Sequence, residues 1–247
     1  MRKIILLSLF IILSCAGACV IFNKAYSKNT ALAQGPKSVS RGVDRAGEKI
    51  IYRVQLGKLY LGKAVFKHLP KVKFQDREVN LMTFETRLTR FVDLEKIYSD
   101  PKSFLPVRVE RDISTWPFPE KITEDYDQEK FTLVIKKLKY GRESESVIKK
   151  SSVINNAILL PYYVRDIAKL EVGYNLMVVL PTQEFIIELA AIEEINVPAG
   201  RFMAYRFQSR PEKFQIWISA DERRIPVKIS GTTGLGYSLV MQEYSAG

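Results

Sequence analysis

Over most of its length the chain alternates apolar and polar residues with a period of two. Ile50, Tyr52, Val54 and Leu56 alternate with Ile51, Arg53 and Gln55, the spacing of a strand with one buried face. Gly57 and Lys58 form a short connection. Tyr60, Gly62, Ala64 and Phe66 then alternate with Lys63, Val65 and Lys67, which predicts an antiparallel hairpin. Residues 79–86 predict a further strand. Leu105, Val107, Val109 and Ile113 share one face, opposite Arg108, Glu110 and Asp112. Trp116-Pro117-Phe118-Pro119 must be irregular, because proline blocks ladder bonding, and residues 122–126 resume the extended pattern. Phe131, Leu133 and Ile135 mark another strand, and residues 136–145 read as a charged loop.

The period changes once. Leu160, Val164, Ile167 and Ala168 have helical spacing, as do Tyr163, Ile167 and Leu170. A short helix over about 161–170 follows, with Pro161 suited to its first turn and Asn155 and Asn156 as candidate caps. Alternation then returns at Leu176, Val178 and Leu180, and at Phe185, Ile187, Leu189 and Ala191. Pro198-Ala199-Gly200 has turn chemistry, proline fixing φ and glycine accepting positive φ. Met203, Tyr205 and Phe207 share the next face, and Phe214, Ile216 and Ile218 the one after. Ala220-Asp221-Glu222 turns the chain into residues 224–230, and residues 235–244 close it.

Ile186, Ile192, Val179 and Trp217 break simple in-and-out alternation. A flat sheet wetted on one side does not tolerate apolar residues on both faces; a curved one wrapped round a helix or cavity does. The expected fold is therefore mainly β: a large curved antiparallel sheet, or open half-barrel, with one short helix.

Residues 1–33 read differently. Arg2 and Lys3 precede an almost unbroken apolar run over residues 4–13, and Ala16-Gly17-Ala18 and Ala31-Leu32-Ala33 fit small-x-small cleavage sites. Residues 4–22 are also about long enough to serve as an uncleaved anchor. Cys15, after Ile12-Leu13-Ser14, and Cys19, after Ala16-Gly17-Ala18, are candidate lipid acceptors. A signal peptide, an anchor and a lipoprotein signal all put the folded part outside the cytoplasm, in the periplasm or facing it. Residues 34–45 read as a linker and 46–247 as a single β domain. Cys15 and Cys19 are the only cysteines in the chain, so the domain has no disulfide and rests on its core alone.

The chain of 247 residues carries a net charge of +11. Four cations precede Gln34, which leaves +7 on residues 34–247. An exported basic domain suits anionic lipid or polysaccharide, whereas nucleic acid is excluded as a partner by the location. The densest basic run, Lys136, Lys137, Lys139, Arg142, Lys149 and Lys150, reads either as such a surface or as a solvated hairpin.

Catalytic chemistry finds little support. One histidine, His68, rules out Ser-His-Asp catalysis and multi-histidine metal sites, and its parity with Ala64 and Phe66 makes it a partly buried residue at a strand end. Glu193 and Glu194 are adjacent and point to opposite faces. Glu120, Glu124 and Asp125 are expected to face solvent. Ser151 and Ser152 follow Lys149 and Lys150, but nothing there would lower a lysine pKa. Gly231, Gly234 and Gly236 around Thr232 and Thr233 lack the order of a phosphate loop and read as a hairpin turn. No cofactor or metal is expected, and the reading is non-enzymatic.

The opening Gly47-Glu48-Lys49-Ile50-Ile51-Tyr52-Arg53-Val54, Leu61-Gly62-Lys63-Ala64, Tyr98-Ser99-Asp100-Pro101 with Leu105-Pro106-Val107-Arg108, Pro161-Tyr162-Tyr163-Val164-Arg165, Pro198-Ala199-Gly200-Arg201-Phe202 and Trp217-Ile218-Ser219 through Arg224-Ile225-Pro226-Val227 form a set. Together they resemble the domain of unknown function 3108 family over about residues 46–244. The resemblance implies an exported bacterial envelope protein, often a lipoprotein, of mostly antiparallel β architecture; it supplies no catalytic residues. Pro198, Gly200, Trp217, Asp221, Arg224 and Pro226 are expected to be structural: a turn at Pro198 and Gly200, packing at Trp217, and Asp221 bridging Arg223 or Arg224. Two functions follow as expectations. One is binding of a hydrophobic or amphipathic envelope component such as lipid. The other is a scaffold for protein or polysaccharide partners without a ligand cavity.

Overall fold

A computed structural model describes residues 45–247, apart from Trp116, Asp166, Ala168 and residues 233–235. The candidate export segment, Cys15 and Cys19 lie outside the described residues. The chain runs through β1 (Lys49–Leu56), β2 (Leu59–Phe74), β3 (Arg77–Leu88), β4 (Phe91–Ser99), β5 (Pro106–Thr115), β6 (Glu120–Asp127), β7 (Thr132–Lys139) and β8 (Arg142–Lys149). A short helix, α1 (Leu160–Arg165), follows. The chain returns through β9 (Asn175–Val179), β10 (Glu184–Val197), β11 (Gly200–Arg210), β12 (Phe214–Ser219), β13 (Pro226–Gly231) and β14 (Tyr237–Ser245).

All these strands form one open antiparallel sheet, in the order β8-β7-β6-β5-β4-β3-β2-β1-β14-β13-β12-β11-β10-β9. Two meanders meet where β1 pairs with β14, Tyr52 opposite Met241 and Val54 opposite Leu239. The segment from β8 to β9 shows that the sheet curves. Gln128, just after β6, donates to the Ile154 carbonyl at 2.9 Å. Asn155 exchanges two bonds with Val179 of β9, at 2.7 and 2.9 Å. Tyr162 of α1 donates to Glu48, just before β1, at 3.0 Å. These strands lie far apart in the sheet order, so one segment touches all three only if the sheet wraps round it.

Two apolar clusters fill the concave side. One gathers Ile50, Tyr52, Phe66, Phe84, Ile97, Val109, Ile122, Leu133 and Leu239 round Ile154, Leu159 and Tyr162. The other packs Val164, Ile167 and Leu170 against Ile187, Leu189, Phe207, Ile216 and Ile218. The core expected of a curved sheet around a helix is therefore present. Among the residues that break alternation, Val179 and Trp217 are buried, whereas Ile186 and Ile192 remain exposed.

Several elements differ from the sequence pattern. β2 runs on to Phe74, so His68 lies inside a strand, buried edge-on to Phe104 and Tyr162. Residues 136–145 are not a loop: β7 and β8 pair through Lys139 opposite Arg142, with Tyr140 and Gly141 as the turn. The sequence pattern ends β7 at Ile135, and β8, the edge strand, is mostly exposed and polar and offers no apolar alternation. The helix ends at Arg165 rather than Leu170. There the Arg224 guanidinium donates to the carbonyl of Arg165 at 3.1 Å and to that of Ile167, taking acceptors that further helix would need. Asn155 and Asn156 do not cap it: Asn155 holds β9, and Asn156 accepts from the Ile158 N–H at 2.8 Å.

At Gly62 the backbone of β3 leaves no room for a side chain on β2. A Cβ there would lie 2.1 Å from the Arg87 carbonyl oxygen, a backbone atom fixed in the ladder. Gly62→Ala is expected to destabilise the fold by about 2–3 kcal/mol, seen as a lower urea midpoint. An unchanged midpoint would show that the two strands part there freely.

Candidate functional site

The interior is not completely filled. Between the concave face and residues 156–162 lies a cavity of about 130 Å³. One wall is aromatic, formed by Tyr52, Phe66, Phe84, Tyr162 and Tyr237. The opposite end is polar and carries Glu95, Arg111, Glu124 and Tyr126.

Strand register builds the polar end. Glu95 of β4 lies directly opposite Arg111 of β5, and Asp93 and Glu95 share the inner face with Ile97. Glu124 opposes Val109 on β6, two residues from Arg111 along the pleat. Arg111 Nε donates to both Asp93 oxygens, at 2.9 and 3.1 Å, and its Nη2 also bonds Asp93. Glu95 stands farther off, 3.5 Å from Arg111 Nε. Tyr126 donates its hydroxyl proton to Glu124 at 2.5 Å.

Burial dominates the electrostatics. It pushes Glu95 up to about 8; Arg111 opposes the shift, while Asp93 and Glu124 add to it. Burial likewise raises Glu124, against the hydrogen bond from Tyr126 and the charge of Arg111. Burial disfavours the charge on Arg111, yet its bonds to Asp93 and its attraction to Glu95 hold it above the ordinary range. At neutral pH the cluster is therefore a closed Arg111–Asp93 pair beside a protonated Glu95. A carboxylic acid in that state is a hydrogen-bond donor.

This corrects one expectation. Glu120 and Glu124 do not face solvent: Glu120 is buried between Lys137 (2.8 Å) and Lys139 (2.7 Å), and Glu124 reaches the cavity. Those lysine pairs, with Lys136 3.9 Å from Glu145, also balance part of the basic run on β7. Glu193 and Glu194 remain apart. Glu193 accepts from Trp217 Nε1 at 2.8 Å and from Arg206 at 3.2 Å, while Glu194 stands 3.5 Å from Arg201.

The closing motif acts around the helix and a hairpin tip. Pro198 and Ala199 form the turn between β10 and β11, Gly200 follows at φ 133°, and the Ala199 N–H donates to the Met241 carbonyl at 3.1 Å. Trp217 is buried above the Lys228 ammonium, which lies 4.6 Å from its ring. Asp221 accepts from the Arg223 side chain at 2.9 Å and from the Arg224 N–H at 3.2 Å. The Pro226 carbonyl accepts from the Tyr52 hydroxyl at 2.8 Å, which fixes the aromatic wall. Among the described residues, no group of three or more His, Cys, Asp or Glu side chains could hold a metal ion. None of their helices is long and apolar enough to cross a membrane.

A family model described as a protein of unknown function, DUF3108, matches residues 51–242. The chain belongs to the DUF3108 family. No curated protein matches it. Among solved structures, this DUF3108 chain is similar to a β-barrel-like protein of domain of unknown function DUF1849 from Brucella abortus. The TM-score is 0.52 at 8% identity, over 82% of this chain and 98% of that one, and the likeness bears on the fold alone. A Bacteroides fragilis protein with a YmcC-like fold aligns with 82% of this chain and 97% of its own, at 12% identity and a TM-score of 0.30.

The polar cluster of this DUF3108 chain escaped the sequence pattern. Asp93 and Glu95 occupy inward positions while Val92 and Leu94 sit on the other face, the reverse of the usual binary code. A usable signal was present on β6, where Glu120, Ile122, Glu124 and Tyr126 share one parity.

Proposed function

We propose that this chain is a non-catalytic protein of the bacterial envelope. Its interior cavity receives the apolar end of an amphipathic envelope molecule. The cavity carries the proposal: an aromatic wall and a neutral polar end, the pairing by which small-molecule sites fix orientation. A void of about 150 Å³ takes up benzene, so this one suits a ring or a short alkyl end rather than a whole acyl chain. Arg111 is already neutralised by Asp93, and Glu95 is protonated. The polar end of the guest is therefore a neutral acceptor, such as a carbonyl, ether or hydroxyl, rather than a carboxylate. A cavity of about 130 Å³ has no room for the sugar units on both sides of a glycosidic bond, which speaks against carbohydrate hydrolysis by Glu95 and Glu124. The charged run at Arg2 and Lys3 before residues 4–13 supports export, with the N-terminus or a lipid on Cys15 or Cys19 supplying attachment.

Ala157→Phe should fill the void from the segment that covers it. Native mass spectrometry of the full chain, purified from envelope extracts, should show a bound small molecule that the variant lacks. The thermal midpoint of the variant should stay the same or rise, as cavity filling generally allows. An empty parent chain, or an equal adduct in the variant, would sink the reading.

A further inference from the structure

The β1–β2 hairpin carries a second feature, on the opposite side of β1 from the cavity. β3 pairs with β2 no farther than Leu88 opposite Gly62, so residues 59–61 extend past the end of β3. At that tip, Leu59 is 61% exposed and Tyr60 51% exposed, next to exposed Lys58. Gly57, at φ 58°, makes the turn, and its N–H donates to the Gly236 carbonyl at 3.3 Å, so the tip is held against the β13–β14 connection.

Below the tip, the outer face carries a row of cations. Arg53 is directly opposite Lys63, and Lys63 directly opposite Arg87. In the other direction the row continues through Val240 to Lys228. Arg53, Lys63 and Arg87 are all exposed. Arg87 pairs with Glu85, and Lys228 stacks on Trp217. Among the described residues, Arg53, Lys58 and Lys63 take part in no ion pair. Like charges directly opposite in a sheet are destabilising, and here two such contacts stand side by side. Anions that sit between them would remove that cost.

We infer that this hairpin tip docks on an anionic lipid bilayer, with Leu59 and Tyr60 at the acyl boundary and Arg53, Lys63 and Arg87 among the phosphates. The lengths agree. The row lies three to four residues below Leu56 and Leu59, about 10–13 Å at strand rise. The headgroup layer of one leaflet is about 5–7 Å thick, and arginine and lysine side chains reach across the remainder. An acidic polysaccharide would satisfy the cations but offers nothing to Leu59, so the apolar pair selects the bilayer. The inference does not depend on the cavity.

Tyr60→Trp in the full chain gives a local probe, insensitive to how the N-terminus attaches. Its emission, after subtraction of the parent signal, should shift to the blue with phosphatidylglycerol vesicles and be quenched by brominated acyl chains. Phosphatidylcholine vesicles should do neither. Adding Arg53→Gln, Lys63→Gln and Arg87→Gln should weaken partitioning roughly a hundredfold, at about 1 kcal/mol for each cation. The thermal midpoint should be no lower than that of the parent, because repulsion has been removed. No quenching, equal quenching in phosphatidylcholine, or an unchanged partition coefficient in the charge variant would overturn the inference. So would a shift produced only by a soluble acidic polysaccharide.

Discussion

Arg165→Met is expected to destabilise the protein by about 3–5 kcal/mol and to lower its melting temperature by roughly 10 °C or more. Arg165 is only 1% exposed and Glu48 3%. The guanidinium meets the carboxylate through two bonds, Nη1 to Oε2 at 2.8 Å and Nη2 to Oε1 at 2.6 Å. It also donates to the Arg223 carbonyl at 3.0 Å and lies 4.9 Å from the Tyr162 ring centre. One residue thus ties α1 to the entry of β1 and to the β12–β13 turn. Removing it leaves Glu48 buried without its counter-ion, which costs more than the pair itself is worth against an apolar isostere.

The pH dependence separates this account from a simple packing defect. Burial works to raise the Glu48 pKa, but Arg165 and Tyr162 hold it below the ordinary value of 4.5. A carboxylate with a lowered folded-state pKa binds fewer protons folded than unfolded. Its stabilisation is therefore complete above about pH 4.5 and is lost as pH falls through the native value. In Arg165→Met, burial is opposed only by the Tyr162 hydrogen bond and the charge of Arg45 and the shift reverses, so the stability gap between parent and variant should narrow as the pH is lowered. Thermal melts between pH 3 and 7 read this directly. A constant gap would mean that Arg165 contributes bulk rather than charge, and a gap of only a degree or two would remove the pair as a fastening of the helix.

What could be read from the sequence follows from how each side chain is used. β1 and β5 place most of their apolar residues on one parity, and in β7 Leu133 and Ile135 alternate with Thr132 and Lys136; that regularity defined them. β4 has apolar residues on both parities and carboxylates facing inward, so alternation gave no direction and the strand was not recognised. In the helix region the spacing of Leu160, Val164, Ile167 and Leu170 correctly marked buried positions. The last two nevertheless lie beyond the helix, because Arg224 holds its terminal carbonyls. Period reports burial; it does not report which hydrogen-bond donor reaches a carbonyl from elsewhere in the chain. The same limit hid the Glu48–Arg165 pair, whose members are 117 positions apart. It also hid the cavity cluster, in which Asp93, Glu95, Arg111 and Glu124 come from three strands. In the closing motif, local chemistry indicated turns at Pro198 and Asp221, whereas the long-range partners, Met241 for Ala199 and Tyr52 for Pro226, needed the sheet.

Glu95→Gln should change the pH profile in the opposite direction from the Arg165 variant. Glu95 is pushed up to about 8, chiefly by burial, because Asp93 already occupies Arg111 and Glu124 lies near. Between about pH 4.5 and 8 the folded chain keeps a proton at Glu95 that the unfolded chain releases. Folded protein binding more protons means stability falling as pH rises. The contribution is therefore greatest below about pH 4.5, declines through neutrality and is flat above about 8, a span of at most roughly 5 kcal/mol from this residue. Glutamine keeps the shape and the capacity to donate but cannot ionise. Parent and Glu95→Gln should therefore melt close together at pH 5, with the variant clearly higher at pH 8.5. Equal melting at both values would place the Glu95 carboxylate in contact with water or fully engaged by Arg111. The cavity would then offer a charged end to its guest, and the preference for a neutral acceptor would fall with it.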